Sequence, residues 1–150
     1  MWKVLLGWSA AVVTSTLTGS VVQSQLNLAA IGALSQRISL GDRLGTTVFD
    51  LINFAPLWGA VVGFGFLLGW PIAGLLVRRW PDARRVLFPL AGFVAVVTAL
   101  LVMNAALPVT VVAAARSLGG LLLLALCGAL GGWIYLQVVG STGQRQNGRI

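Results

Sequence analysis

The chain has 150 residues, of which 58% are hydrophobic and only 9% are charged, whereas about 25% of the residues in an average soluble domain are charged. The apolar residues occur in long runs, so the composition excludes a soluble globular domain and predicts an integral membrane protein. The net charge of +7 occurs in some nucleic-acid-binding proteins, but here most basic residues flank apolar runs, where membrane topology and anionic headgroups explain them. We therefore expect membrane lipids, and no nucleic acid, as partners.

The residue types that most enzymes and metal sites need are scarce. Histidine and glutamate are absent, three aspartates are the only acidic residues, and Cys127 is the single cysteine. The chain by itself therefore supplies neither bis-histidine haem ligands nor a zinc site nor a disulfide. We predict no cofactor, no metal site and no enzymatic activity.

Four apolar runs are long enough to cross a bilayer, which takes about 20 helical residues. They predict an all-α membrane protein with one four-helix membrane domain, residues 1–139, and spans at about 4–22, 57–77, 86–107 and 118–139. The first run lacks a small-residue cleavage site after it, so we expect a retained helix rather than a signal peptide. Residues 140–150 predict a basic, polar cytoplasmic tail without fixed structure.

The segment between the first two spans is predicted to lie at the outer face of the membrane. Gln23-Ser24-Gln25-Leu26-Asn27 is too polar for hydrocarbon, and the apolar spacing from Leu28 to Ile38 predicts a short amphipathic helix on the outer surface. Ser39 to Gly45 is expected to be a turn. Thr47-Val48-Phe49-Asp50 fits a capping box, so the next helix is predicted to begin at Val48.

A short basic loop determines the predicted orientation. Arg78-Arg79-Trp80-Pro81-Asp82-Ala83-Arg84-Arg85 connects the second and third spans, and the positive-inside rule places such a loop in the cytoplasm. Four spans then put both termini in the cytoplasm, and we expect the inner (plasma) membrane of a bacterium. The basic residues divide as seven inside and three outside: Lys3, Arg78, Arg79, Arg84, Arg85, Arg145 and Arg149 against Arg37, Arg43 and Arg116.

Small residues recur at four-residue spacing on all four spans. Such ridges let two helix backbones approach closely in a membrane, so we expect a tight bundle with little interior volume. The residues predicted to pack are Gly7, Ala11, Ser15 and Gly19 on the first span, Gly59, Gly63, Gly65 and Gly69 on the second, Ala91, Ala95 and Ala99 on the third, and Gly128 and Gly132 on the fourth.

A group of polar residues is predicted to lie at the outer interface, near the ends of the spans. One interpretation is a binding site for a lipid headgroup or a quinone-like ring, with Arg116 as the fixed cation. The alternative is an ordinary interface, in which Arg116 snorkels or pairs with Asp50 and Asn104 bonds to a neighbouring helix. Asp50 has two further interpretations, a helix cap or a proton or cation carrier. The candidate residues are Gln23, Gln25, Asp50, Asn53, Asn104 and Arg116.

The small-residue ridges favour a protein whose partners are other transmembrane helices. We predict a non-enzymatic membrane protein that acts by helix–helix association, either as an accessory subunit of a larger membrane complex or as a homo-oligomer. Two alternatives from other classes stay open. One is a small transporter or channel with its path between subunits, and the other is an outer-leaflet lipid- or quinone-binding protein.

Overall fold

The computed structural model describes residues 2–33, 39–106 and 112–147. Regular structure in these residues is entirely helical: α1 (Trp2–Gly32), α2 (Leu40–Asn53), α3 (Ala55–Arg79), α4 (Arg84–Ala106) and α5 (Leu118–Asn147), with 3₁₀ turns at Pro81–Ala83 and Ala113–Arg116. Four of these helices, α1, α3, α4 and α5, are long and apolar enough to cross a membrane. The prediction of an all-helical chain with four membrane-length apolar helices is therefore confirmed.

The long helices run antiparallel to the neighbours they pack against. Gly7 of α1 lies against Tyr135 and Val139 of α5, whereas Ser15, two turns later, bonds to the earlier residue Cys127. The contacts of α1 with α3, of α3 with α4 and of α4 with α5 show that these pairs are antiparallel as well. The N-terminus of α1 and the C-terminus of α5 consequently lie at one end, together with the Pro81–Ala83 turn. Which side of a membrane this end faces stays a prediction.

An aromatic cluster fills the core near that end. The ring of Trp70 on α3 lies 4.2 Å from Tyr135 of α5 and 4.8 Å from Phe66, measured between ring centroids. Phe88 at the start of α4 lies 4.9 Å from Tyr135. Aromatic pairs at such distances contribute about 0.5–1.5 kcal/mol beyond the burial of their surface. The cluster therefore ties α3, α4 and α5 together.

Helix α1 extends ten residues beyond its predicted end at Val22, to Gly32. The polar stretch from Gln23 to Asn27 continues the helix because its side chains bond to other elements: Gln23 accepts a hydrogen bond from the Ala114 N–H, and Ser24 bonds to Asp50. Residues 28–32, predicted to begin a separate amphipathic helix, are the last turns of α1. The remainder of that prediction, residues 34–38, lies outside the described residues.

The predicted turn from Ser39 to Gly45 is wrong, because α2 begins at Leu40. Ser39 is its N-cap, and a reciprocal capping box joins Ser39 and Asp42. The predicted capping box at Thr47 is not formed, since Thr47 and Asp50 lie inside α2. Both segments have a hydroxyl residue three positions before an aspartate, which is the capping-box pattern, so the local sequence alone does not distinguish them.

The limits of the other helices lie close to the predicted ones, except at the C-terminus. Helix α3 begins at Ala55 with a proline in its first turn, where the missing N–H has no intrahelical partner to lose. Helix α5 continues to Asn147, so the predicted lack of structure in the tail is wrong for residues 140–147. A glycine such as Gly140 costs a helix only about 1 kcal/mol, and no proline follows to end it.

Candidate functional sites

Helix α2 turns three of its polar side chains towards α1 and most of its large apolar side chains outward. Arg43, Thr47 and Asp50 are partly buried, whereas its exposed face carries Leu40, Leu44, Val48, Phe49 and Ile52. A surface helix of a soluble protein has the opposite orientation. At 14 residues, or about 21 Å, α2 is too short to cross the roughly 30 Å hydrocarbon core. This geometry fits a helix whose outer face contacts lipid and whose inner face holds a polar network.

The amide of Gln25 on α1 is the centre of this α1–α2 polar network. Its Oε1 accepts a hydrogen bond of 3.1 Å from Arg43 Nη1, and its Nε2 donates one of 3.2 Å to Thr47 Oγ1. The Thr47 hydroxyl in turn donates to the Arg43 carbonyl oxygen at 2.8 Å. Three partly buried polar side chains are thus satisfied together, which fixes the position of α2 along α1.

Ser24 and Asp50 form the second contact of the network. Ser24 Oγ lies 2.5 Å from Asp50 Oδ2 and 3.0 Å from the Ser20 carbonyl oxygen. Asp50 lies in the last turn of α2, where the helix dipole disfavours a negative charge, rather than in a first turn as the predicted cap requires. Among the described residues it forms no ion pair, so the pairing with Arg116, which was one of the alternatives, is not formed.

The remaining candidate residues do not join this network. Gln23 is buried on another face of α1 and accepts a hydrogen bond of 3.3 Å from the Ala114 N–H. Asn53 is exposed and donates to the Phe49 carbonyl oxygen of its own helix at 2.9 Å. Asn104 and Arg116 are exposed, and the side chain of neither bonds to a described residue. The described residues therefore bring Gln25 and Asp50 together and leave Asn53, Asn104 and Arg116 outside.

Sequence reasoning missed three residues of the network, Ser24, Arg43 and Thr47. A signal for two of them was present, because Arg43, Thr47 and Asp50 follow the spacing of one helix face. The predicted turn from Ser39 to Gly45 placed Arg43 outside the helix, so this face was not recognised. Ser24 carried no comparable signal, since its partner lies 26 positions later.

Unpaired polar atoms continue along the same face of α1. The hydroxyls of Thr16 and Ser20, and the indole N–H of Trp58 on α3, are buried and have no hydrogen-bond partner among the described residues. Thr16, Ser20 and Ser24 follow one another at four-residue spacing, so they form one line of hydroxyls. Trp58 lies beside this line, because its indole nitrogen contacts Gly19.

A second candidate site is an apolar groove between α3 and α4, with a volume of about 820 Å³. We refer to it as the α3–α4 groove. Its floor consists of small residues and its walls of large, exposed apolar side chains. The floor includes Gly65, Gly69, Ala91, Ala95 and Ala99, and the walls include Phe64, Leu68, Ile72, Leu90 and Val94.

Glycine is not needed at the groove floor for packing within the chain. A Cβ on Gly65 would lie 3.5 Å from Ala95 Cβ, and one on Gly69 would lie 3.6 Å from the Ala91 carbonyl oxygen, both ordinary van der Waals distances. Between α4 and α5 the situation is different, because a Cβ on Gly92 or Gly128 would collide with the backbone of the other. The seam between α4 and α5 is closed, whereas that between α3 and α4 is open towards its outer face.

The other residues predicted to pack lie in contacts between helices. Ala11 and Ser15 are buried on α1, and a Cβ on Gly131 of α5 would meet both. Gly59 and Gly63 of α3 lie against side chains of α1. The partners of the remaining glycines are Tyr135 and Val139 for Gly7, Trp58 for Gly19, Thr16 for Gly59, Trp8 for Gly63, Gly92 for Gly128 and Phe88 for Gly132.

Comparison with known proteins gives no relative for this chain. No protein-family model matches it, and neither a curated protein nor a solved structure matches it significantly. A proposal for its function therefore rests on the α3–α4 groove and the α1–α2 polar network.

Proposed function

We propose that this small membrane protein is not an enzyme and acts by helix–helix association, with the α3–α4 groove receiving a helix of a second copy. Its four long apolar helices are compatible with an integral membrane protein. The open, small-residue floor of the groove is the observation that carries the proposal. In a bilayer, association depends on van der Waals contact between closely approaching helices, and small residues permit that approach.

The dimensions of the groove fit a transmembrane helix. Its lining runs from Ala60 to Leu76 on α3 and from Leu87 to Met103 on α4. At 1.5 Å per residue each side is about 24 Å long, which is most of the roughly 30 Å hydrocarbon core. A partner helix would therefore contact the groove over nearly its whole membrane depth.

The shape of the α3–α4 face supports a second copy as the partner. Phe64, Leu68 and Ile72 form a ridge at four-residue spacing, and Gly65 and Gly69 form the adjacent depression. Ridges of one helix pack into grooves of another, and a two-fold interface requires one surface to contain both. The α3–α4 face meets this requirement, because the ridge of either copy has a depression to enter in the other.

The basic loop at one end of the groove opposes this association. Arg78, Arg79, Arg84 and Arg85 are exposed, with Asp82 as the one acidic residue between them. Two copies paired in parallel would bring these charges towards each other. Anionic headgroups attract such basic segments by about 1 kcal/mol per residue, so association is expected to be stronger in bilayers that contain anionic lipid.

Cysteine cross-linking in the membrane tests the proposal. The two sites compared are Leu68, in the groove wall, and its neighbour Leu67, which is equally exposed but outside the groove. In a Cys127→Ser background, a flexible thiol cross-linker should give dimers with Leu68→Cys and few with Leu67→Cys. Equal cross-linking at both positions, or none at Leu68, would reject the second copy as occupant. In the latter case, lipid or a subunit of a larger complex occupies the groove.

A further inference from the structure

The carboxyl group of Asp50 has a setting that helix association does not explain. It lies at the negative end of the α2 dipole, faces α1 rather than solvent, and forms no ion pair among the described residues. Its one hydrogen-bond partner in the described part of the chain is Ser24. Ionisable groups that face the interior of a membrane protein usually mark a functional site, and Asp50 is partly buried against α1.

The hydrogen bonds of Ser24 give a specific reason to place a proton here. Its hydroxyl has a single proton but two oxygen atoms within reach, Asp50 Oδ2 at 2.5 Å and the Ser20 carbonyl oxygen at 3.0 Å. With a charged carboxylate, Ser24 donates to one of them only. With a protonated carboxyl, Asp50 donates to Ser24 and Ser24 donates to Ser20, so both contacts become hydrogen bonds.

The buried hydroxyls of Ser20 and Thr16 lie on the same face of α1 as Ser24. Ser20 is fully buried, and both hydroxyls lack partners among the described residues. Successive members of the line from Ser24 are about 6 Å apart along the helix axis. A water molecule whose two hydrogen bonds of about 2.8 Å meet near the tetrahedral angle spans only about 4.5 Å. A single water therefore does not bridge two successive hydroxyls of the line, and the site is limited to Ser24 and Asp50.

Among the described residues, few charges lie near this carboxyl. Arg43 lies on the same face of α2 but donates to Gln25, and Asp42 is held in the N-terminal cap. Arg116 follows Ala114, which bonds to α1, and it is exposed without an ion pair to a described residue. The remaining charged residues of the helices packed against α2, all at the opposite end, are Lys3, Arg78 and Arg79.

We propose that Asp50 and Ser24 form a proton-binding site between α1 and α2. The carboxylate takes a proton from hydronium, leaving water, and donates it in a hydrogen bond to Ser24 Oγ. The reverse step returns the proton to water. Ser20 and Thr16 are buried farther along α1, so the site binds and releases protons from the α2 side.

Labelling with dicyclohexylcarbodiimide tests this site, because this apolar reagent modifies protonated carboxyl groups. The chain has three aspartates and no glutamate, so Asp42 and Asp82 are internal controls for Asp50. We expect mass spectrometry of the full-length protein in vesicles to find the adduct on Asp50, with an occupancy that falls as pH rises. Asp50→Asn should remove the adduct, and its side-chain amide can still bond to Ser24 and preserve the fold.

Further variants and salts distinguish a proton site from a sodium site and from an ion-paired carboxylate. Ser24→Ala removes the acceptor for the Asp50 proton and should lower the labelled fraction several-fold at a given pH, whereas Ser9→Ala, exposed on the same helix, should not. Sodium chloride should protect no more than choline chloride. Protection by sodium, equal labelling of all three aspartates, or absence of an Asp50 adduct at acid pH would each overturn the proposal. Labelling of Asp50 that appears only in Arg37→Gln would also overturn the proposal. That result would mean that an ion pair with Arg37 keeps the carboxylate charged in the wild type.

Discussion

The hydroxyl of Ser15 on α1 donates a hydrogen bond of 2.9 Å to the carbonyl oxygen of Cys127 on α5. The helices come this close because Gly131, one turn after Cys127, has no side chain. A Cβ on Gly131 would collide with Ser15 Oγ and lie 2.9 Å from the Ala11 carbonyl oxygen. The contact between α1 and α5 therefore combines a polar bond with close backbone packing.

Substitutions of Ser15 separate these two contributions. Ser15→Ala removes the hydrogen bond, and we expect a loss of about 0.6 kcal/mol in the free energy of unfolding, as is average for interhelical bonds in membranes. Ser15→Leu places a large side chain in a closed contact, and a loss of about 1–3 kcal/mol is expected. Equilibrium unfolding in mixed micelles measures both. Equal stability of Ser15→Leu and the control Ser9→Leu would show that this contact tolerates bulk.

The paired glycines of α4 and α5 make a second stability prediction. A Cβ on Gly92 would lie 2.9 Å from the Gly128 carbonyl carbon, and one on Gly128 would lie 2.6 Å from Val96 Cγ2. We expect Gly92→Ala and Gly128→Ala each to lower the free energy of unfolding by about 1–3 kcal/mol.

Gly74 on α3 is the matched control, because nothing lies within 4 Å of the position of its Cβ. Gly74→Ala should be neutral or stabilise the helix by up to about 1 kcal/mol, through reduced entropy of the unfolded chain. The same loss of stability in all three alanine variants would indicate a general requirement for glycine rather than close contact of α4 with α5.

The N-terminal cap of α2 should depend on pH. The Ser39 hydroxyl, which has the larger effect, and the Ser39 backbone N–H both donate hydrogen bonds to Asp42. These bonds hold the pKa of Asp42 below its ordinary value of 3.8. Because the pKa is lowered on folding, the cap contributes its full stabilisation above that value and loses it as pH falls through the lower folded-state pKa.

Amide hydrogen exchange at the start of α2 measures this effect. After correction for the intrinsic pH dependence of exchange, protection of the first turn should decrease in acid for the wild-type chain. Asp42→Asn should give weaker protection that does not change with pH over that range. A wild-type chain whose protection is constant down to acid pH would contradict the role of the cap.

The predicted topology is testable at two exposed positions. In a Cys127→Ser background, Gly41→Cys lies at the start of α2 and Asp82→Cys lies in the turn between α3 and α4, and both positions are exposed. We expect a membrane-impermeant thiol reagent to label Gly41→Cys from outside intact cells and Asp82→Cys only after permeabilisation. Labelling of both from the same side would contradict the four-span orientation.

The long apolar helices were predictable from the sequence, because a run of apolar residues reports directly that a segment can be buried in lipid. Composition does not report which polar groups will find partners. Gln23 and Ser24 looked like the end of a helix, yet they continue α1 because Ala114 and Asp50 supply their hydrogen bonds. These partners lie 91 and 26 positions away, so local patterns contain no information about them.

The candidate sites were likewise predictable only in part. The sequence showed that the helix ends are polar. Which residues join the α1–α2 polar network depended on where α2 begins, and this start was predicted wrongly. The groove was also unpredictable, since Gly65 and Gly128 belong to the same kind of ridge in the sequence. Only the position of neighbouring helices shows that Gly128 closes a contact and that Gly65 leaves a depression open.

The most direct test of association through the α3–α4 groove is energy transfer between donor- and acceptor-labelled copies in anionic vesicles, measured as the protein is diluted with lipid. The variants compared are Leu68→Ala, in the groove wall, and Leu67→Ala, outside it, whose side chains are 56% and 58% exposed in the single chain. We predict that the wild type and Leu67→Ala associate equally and that Leu68→Ala associates about tenfold more weakly, which corresponds to about 1.4 kcal/mol. Identical dilution curves for all three, or no energy transfer in the wild type, would contradict the account.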